Sequence, residues 1–423
     1  MKIATLLLLA SSATATTLPT VHTLSADDRT ALEAELTQWK AKYETIAQAQ
    51  GLLPAGSTNR TIDDDTDLLQ RLLANKHAVD VARKNNPKAQ FSTDHKFALM
   101  TELEFKKFVS VSFQQGNHTA RTLAAEDTAA AQASSVDWTT GSCVPPVRDQ
   151  GQCGSCWAFS ATGVSEMAHC IVTGQLYVLS EQQVTSCDTA NGNGGCNGGF
   201  PWYAIDYVAT NGLCLDSDWP YSSGTSGQTG SCSKSCTKKQ LSIGQSVQVS
   251  GESALATALN KQPVSVTVEA GNSVWQNYQG GVVTRCPGAQ SDHAVIAVGY
   301  DGQSYKVRNS WGAGWGEGGY IRLQQGVGDV GTCNVVNSVS YPQINVNPTP
   351  TPTSKNPSPS TPSPPTPKPS TTKPTPKPST PVPQPGCGNC HGCYYPAGNQ
   401  CLIGWTPSDC QLYNLYYGTV WCN

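Results

Sequence analysis

The sequence predicts an α+β chain whose central part divides into a mostly helical lobe and a mostly β lobe. Three observations point there. Residues 16–132 contain none of the 17 cysteines, and 133–423 contain them all. Within 133–345 a helical pattern, "CWAFSATGVSEMAHCIVTG", comes first and is closed by Gly174. The β-rich runs "PVSVTVEA", "HAVIAVGY", "SYKVRNS" and "GYIRLQQ" come later, separated by Gly, Asn and Asp.

The chain opens "MKIATLLLLASSATATT". Lys2 supplies a positive start, Ala4 to Ala10 an apolar run, and residues 13–15 small side chains for cleavage. This reads as a secretory signal over 1–15, cut near Ala15. The run is too short to span a bilayer, and no other stretch approaches a span. An oxidising destination turns most cysteines into disulfides. The formal net charge is −3, which leaves no basic surplus for nucleic acid.

The cysteine-free part, 16–132, reads as helical. "ADDRTALEAELTQWKAKYETIA" and "DDDTDLLQRLLANKHAVDVARKN" repeat apolar residues at helical spacing, with "STNRTIDDDTD" as a loop between them. Both Asn-X-Thr sequons, at Asn59 and Asn117, fall in this part.

Past the central part, 346–385 is almost only Pro, Thr, Ser and Lys. It cannot bury a core and reads as an extended linker. The last 38 residues, 386–423, hold six cysteines and seven aromatics: Tyr394, Tyr395, Trp405, Tyr413, Tyr416, Tyr417 and Trp421. So small a unit needs bridges to hold together. "CGNCHGC" could take a metal through His391, but in a secreted chain bridges are favoured, so no metal and no cofactor is expected. Six cysteines make three bridges. The central eleven make five and leave one thiol over.

Which thiol is left turns on "QGQCGSCWAFS" at 150–160. Cys153 and Cys156 have redox-couple spacing, but no strand precedes them as a βαβ redox unit requires. Zinc lacks partners, because the central part offers only His169 and His293 and no second Cys-x-x-Cys. His169 lies inside the helix pattern and reads as a surface or packing residue. Nucleophilic catalysis fits best. A helix N-terminus lowers the thiol pKa of Cys156, and "SDHAVIAVGY" and "VRNSWG" supply His293 and Asn309 downstream.

These motifs resemble the papain (cathepsin-like) family of cysteine proteases. "VDW" at 136–138, "LSEQQVTSCD", "GGCNGGFPWYA" and "NSWGAGWGEGGYIRL" extend the resemblance over about 136–345. The resemblance implies a papain-like two-lobe fold, helical on one side and β-barrel-like on the other, with the cleft between. It implies Cys156 as nucleophile, His293 as its base, Asn309 as the orienter of the imidazole and Gln150 as oxyanion donor. Trp311 is implied as the indole over the Asn–His bond. Gly198 and Gly199 match the strip that pairs with substrate backbone. Phe200, Pro201, Thr267, Ser291, Ala294 and Ser338 match the pocket for the second residue before the scissile bond. Neutral Ser338 there implies an apolar rather than basic preference. Implied disulfides are Cys153–Cys196, Cys187–Cys232 and Cys286–Cys333. For Cys143, Cys170, Cys214 and Cys236 three pairings are open, Cys170–Cys214 with Cys143–Cys236 being one.

Residues 16–132 are similar to the family's inhibitory propeptide. "KFALMTELEFKKF" at 96–108 echoes its conserved stretch, and Arg71 with Asn86 keeps the spacing of its interspersed helix motif. Asn75, Ala78 and Leu99 depart from that pattern. Cleavage is expected between Ala124 and Ser135, removing both sequons. The tail has a weak similarity to small carbohydrate-binding modules, the other reading being a disulfide knot that touches proteins or nothing. The reading is therefore a secreted endopeptidase acting on polypeptides, made with its own propeptide as inhibitor, and carrying a tail for cell-wall polysaccharide. The alternative is a catalytically weak peptide- or glycan-binding protein on the same scaffold.

Overall fold

The computed structural model describes residues 20–53, 62–110, 133–233, 235–344, 392–395, 400–402 and 420–422. The signal segment, both sequons, the linker and most of the tail lie outside these, as does most of the expected cleavage region.

Helix α1 (Ala26–Ala49) starts at Ser25, whose side chain accepts a hydrogen bond from the Asp28 N–H. Asp27 and Asp28 in its first turn suit the positive end of the helix dipole. Leu32, Leu36 and Trp39 form its buried stripe. Helix α2 (Ile62–Asn85) begins one residue before the helical pattern that opens at Asp63. Residues 62–67, which the loop reading of 57–67 also took in, belong to its first turns, and aspartates at a helix start are favourable for the same dipole reason. Its buried stripe, Leu68, Leu72, Asn75, Val79 and Ala82, continues to Asn86. Strand β1 (Ala89–Phe91) and helix α3 (Glu102–Ser110) complete the N-terminal segment.

The helical lobe is built on α4 (Cys156–Thr173), which ends at left-handed Gly174. Its residues from Cys156 to Cys170 are buried. Helices α5 (Glu181–Cys187) and α6 (Pro201–Asn211) pack round it, so Trp157, Ala161, Val164, Met167, Val184 and Ile205 share one core.

The β lobe follows β2 (Val136–Asp137) and β3 (Ser246–Val249). Helix α7 (Glu252–Leu259) leads to β4 (Val264–Val268). Helix α8 (Ser273–Asn277) leads into β5 (Tyr278–Val283). Strands β6 (His293–Tyr300), β7 (Ser304–Arg308), β8 (Tyr320–Gln324) and β9 (Val339–Pro342) complete it. The sheet order is β1-β5-β8-β7-β6-β4-β9-β3, with β2 on β6. Strands β5 and β8 are parallel and the other pairs antiparallel. Every residue of β4 and β6 is buried, as continuous apolar runs imply. Ile296 and Val298 of β6 reach into the helical core, which joins the lobes.

Ten of the eleven central cysteines are bridged and Cys156 is not. Cys153–Cys196, Cys187–Cys232 and Cys286–Cys333 are bonded. The other pairs are Cys143–Cys170 and Cys214–Cys236, which corrects the pairing Cys170–Cys214 with Cys143–Cys236. The reason is local. The backbones of Leu213 and Lys239 exchange two hydrogen bonds, which lays the segments carrying Cys214 and Cys236 side by side. The Cys143 loop meets the last turn of α4, with 5.4 Å between the Cα atoms of Cys143 and Cys170.

The tail forms a separate unit. It contains strands β10 (Gly392–Tyr395), β11 (Gln400–Leu402) and β12 (Val420–Cys422), antiparallel in the order β11-β10-β12. Among the described residues no helix is long and apolar enough to cross a membrane.

Candidate active site

The turn that presents Cys156 is held from three sides. The Cys153–Cys196 bridge pins it, and the Gly154 N–H donates to the Cys196 carbonyl at 3.1 Å. Gly151 sits at φ +56°, and a Cβ there would lie 2.3 Å from the Gly224 carbonyl oxygen. No side chain fits that approach. Cys156 is the first residue of α4, where helix N–H groups lack partners within the helix and favour negative charge.

The second lobe delivers the imidazole. His293 opens β6, opposite Val268 of β4. Its neighbour Ala294 points its backbone N–H at the Cys156 sulfur, 3.3 Å away. His293 Nε2 lies 2.8 Å from Asn309 Oδ1. That oxygen can only accept, so Nε2 donates to it, which leaves Nδ1 as the nitrogen that can exchange a proton. Asn309 Oδ1 also accepts from the Ser310 N–H at 2.8 Å, and the Asn309 N–H donates to the Gly319 carbonyl. The amide is therefore set from its own backbone.

Trp311 stacks on His293, and Trp275 meets the imidazole edge-on. Cys156 and His293 are fully buried, and burial pulls the His293 pKa down to about 4 against the opposing effect of the Asn309 bond. Next to it, burial pushes the Asp292 carboxyl up to about 7, although the Ala270 and Gly271 N–H groups bond to it.

Gln150 precedes the sulfur-bearing turn in the chain. Its Nε2 donates to the Cys153 carbonyl at 3.1 Å, and its Oε1 accepts from the Ser310 hydroxyl at 2.6 Å. Ser310, whose N–H donates to Asn309 Oδ1, thus links Gln150 to Asn309. The sequence reading did not single it out, because a serine in a turn carries no periodic or spacing signal.

The other sequence-named positions fall round this centre. Phe200 and Ala294 share a buried apolar cluster with Cys156 and Trp202. Thr267 pairs with Ala294 across β4 and β6, and its N–H donates to the Ser338 carbonyl at 3.1 Å. Pro201 is the first residue of α6, and Ser291 is buried just before β6. Gly198 adopts φ +95°. Gly199 lies so close to the Trp157 ring that a Cβ would be 2.7 Å from it.

The N-terminal segment packs against residues round this centre. Phe97 and Phe105 meet Trp311 edge-on at 5.5 and 5.4 Å. Strand β1 extends the sheet along β5. Asn86 Oδ1 accepts from the Thr284 and Arg285 N–H groups. Gln276 Nε2 donates to the carbonyls of Phe97 and Met100, and Lys96 pairs with Asp149 at 2.6 Å. Asn75, which departs from the propeptide pattern, bonds through Nδ2 to the Ala98 carbonyl and accepts from Asn277 Nδ2. His169 is a packing residue. Its ring stacks on Tyr177, and Nδ1 accepts from the Ser242 N–H.

Comparison with known proteins agrees with this geometry. The sequence profile described as "Papain family cysteine protease" matches residues 132–343. Germination-specific cysteine protease 1 of Arabidopsis thaliana is 43% identical over 214 residues, covering 49% of this chain and 56% of that protein. Thiol protease SEN102 of Hemerocallis is 39% identical over 271 residues, covering 60% of this chain and 74% of that one. Among solved structures, a ragweed pollen cysteine protease in its proform is 30% identical with a TM-score of 0.62, covering 74% of this chain and 95% of that chain. Stem bromelain precursor is 28% identical with the same TM-score, covering 74% and 99%. Both structural matches include the N-terminal segment as well as the two lobes, so with the profile match over 132–343 this chain belongs to the papain family of cysteine proteases.

Proposed function

We propose that the protein is a secreted cysteine endopeptidase, made as a zymogen, that cleaves polypeptides through an acyl-enzyme. The observation that carries this is the Cys156–His293–Asn309 arrangement. One lobe holds the sulfur at a helix N-terminus, and the other places the Ala294 N–H 3.3 Å from it with His293 bonded to Asn309 at 2.8 Å.

The chemistry follows from the parts. The Cys156 sulfur attacks the scissile carbonyl carbon as a thiolate, its proton passing to His293 Nδ1. A C–S bond forms and the carbonyl π electrons move to oxygen. Gln150 Nε2 and the Cys156 N–H hold that oxyanion. As the oxyanion collapses, the C–N bond breaks and His293 gives its proton to the leaving amine. In the second half, His293 takes a proton from water. The hydroxide attacks the thioester, the C–S bond breaks, and the acid leaves with the thiolate restored. Asn309 Oδ1 accepts the hydrogen bond from Nε2, which leaves Nδ1 as the nitrogen for exchange with the sulfur, and Trp311 stacks on the imidazole.

Residues 16–132 act in this reading as the inhibitory propeptide, supported by their packing on Trp311. Phe200, Pro201 and Ala294, with neutral Thr267, Ser291 and Ser338, make a largely apolar pocket for the second residue before the cut. The aromatic-rich tail, on its Pro/Thr linker, directs the enzyme to cell-wall polysaccharide.

A thiol-directed peptidyl epoxide should label the processed chain at one residue, and Cys156→Ala should abolish both labelling and peptide hydrolysis. Hydrolysis that survives Cys156→Ala would refute the assignment. For the tail, the full chain should sediment with cellulose or chitin while a chain ending at residue 345 stays in solution. Equal behaviour of the two refutes polysaccharide targeting.

A further inference from the structure

We infer that Tyr221 is a positioning residue for the oxyanion site. Its hydroxyl ties together the two backbone segments that carry the oxyanion donors. This rests on the proposed roles of Gln150 and Cys156.

The geometry is specific. Tyr221 Oη lies 3.0 Å from the Gln150 backbone carbonyl and 2.7 Å from Ser155 Oγ. A carbonyl can only accept, so the one phenolic proton goes to Gln150, and the Ser155 hydroxyl donates to the phenol oxygen. Ser155 is the residue before Cys156. One oxygen atom therefore bridges the backbone of the side-chain donor and the residue before the main-chain donor.

Three further contacts make the bridge stiff. The Tyr221 ring meets Phe159, on the first turn of α4, edge-on at 4.7 Å. Gly224 packs so tightly that a Cβ there would lie 2.8 Å from the Tyr221 ring and 2.9 Å from the Gln150 carbonyl oxygen. The Gln152 N–H donates to the Gly224 carbonyl at 3.0 Å. From the other side, the Gln150 N–H donates to the Ser310 carbonyl at 2.8 Å. Gln150 is thus held at its backbone N–H by the β lobe and at its carbonyl by Tyr221. Burial pushes the phenol pKa well above its ordinary value, so the proton needed for this bond stays in place across the working pH range.

Preorganised donors act only once charge develops on the carbonyl oxygen, so looser placement lowers kcat more than it raises KM. The test compares Tyr221→Phe with the parent, both as full chains after maturation, in two reactions. One is hydrolysis of a peptide amide, which passes through an oxyanion. The other is alkylation by iodoacetamide, where the Cys156 thiolate displaces iodide and no oxyanion forms. We expect kcat to fall about tenfold with KM and the alkylation rate unchanged, the scale of one lost neutral hydrogen bond. Should Tyr221→Phe fail to fold, Ser155→Ala removes the other half of the bridge and is read the same way. Unchanged kcat, or alkylation falling in parallel with hydrolysis, overturns the inference. A parent chain without Cys156-dependent hydrolysis would instead refute the proposed function, and the inference with it.

Discussion

The indole of Trp311 lies 4.9 Å from the imidazole of His293, with 24° between the two ring planes. Its other surroundings include Phe97 and Phe105 of the N-terminal segment. One side chain therefore takes part in both the geometry round His293 and the packing of the N-terminal segment.

Latency should depend on that packing. Phe105 is fully buried, and truncating such a ring to alanine costs about 3–5 kcal/mol. Phe105→Ala should therefore speed epoxide labelling of Cys156 in the uncleaved chain at neutral pH by at least tenfold. Labelling as slow as in the parent would show that the aromatic contact does not maintain closure.

Acid should loosen the segment through His95. Its Nδ1 accepts from the Phe97 N–H at 3.2 Å, which makes Nε2 the protonated nitrogen that donates to Asn277 Oδ1 at 2.9 Å. A second proton would have to enter at Nδ1, against the Phe97 N–H. Burial accordingly pulls the pKa down to about 4, with the Asn277 bond and Asp94 opposing. The sign is clear: a histidine whose folded pKa is depressed contributes full stability above about 6.5 and loses it as pH falls towards 4. The loss is on the order of 3 kcal/mol. Lys96 and Asp149 pair close by, at 2.6 Å. His95→Asn should flatten the rise in Cys156 labelling between pH 6.5 and 4. A variant with the parent's profile would place the acid sensitivity elsewhere.

Asn309→Ala should lower kcat/KM for peptide amides by about 100-fold, because a base that loses its orienting partner spends less time aimed at the sulfur. Thermal stability should change little in comparison. A loss under threefold would mean that Trp311 and the β6 backbone hold the ring unaided.

Pocket polarity predicts selectivity. Phe200 and Ala294 are apolar, and Thr267 and Ser338 are neutral, so no carboxylate on these walls would pair with arginine. Phe-Arg and Leu-Arg amide reporters should be cleaved faster than Arg-Arg. Equal or faster Arg-Arg turnover would displace this assignment of the pocket.

Behind the site, Arg148 Nη2 bonds both Glu181 at 3.0 Å and Asp216 at 2.6 Å. Burial raises the Glu181 carboxyl, and Arg148 holds it down. Arg148→Met leaves that carboxylate without its cation, at a cost of about 3 kcal/mol. Without Arg148, folding must protonate Glu181, and this grows harder as pH rises. The fall in Tm should therefore be larger at pH 8 than at pH 5. A loss independent of pH would point to packing alone.

Much of this was legible in the residues themselves. "QGQCGSCWAFS" specifies a glycine-rich turn into a helix, because Gly151 and the N-terminus of α4 impose local geometry that neighbours alone settle. "HAVIAVGY" specifies a buried strand by composition. The aspartates between 63 and 67 fell both in the helical pattern and in the loop reading, and their charge suits the helix start. The strands β3, β5 and β9 are short and interrupted by Gly, Gln and Ser, and gave little period-two signal.

The linear order thus determined which atoms are available: one thiol beyond five pairs, one histidine at a strand start, and one asparagine beside a tryptophan. Tertiary packing alone decided that the Ala294 N–H meets the Cys156 sulfur, that Cys143 bonds Cys170, and that Tyr221 joins Gln150 to Ser155. Those contacts join segments far apart in sequence, and their distances are set by how the lobes pack rather than by any local propensity.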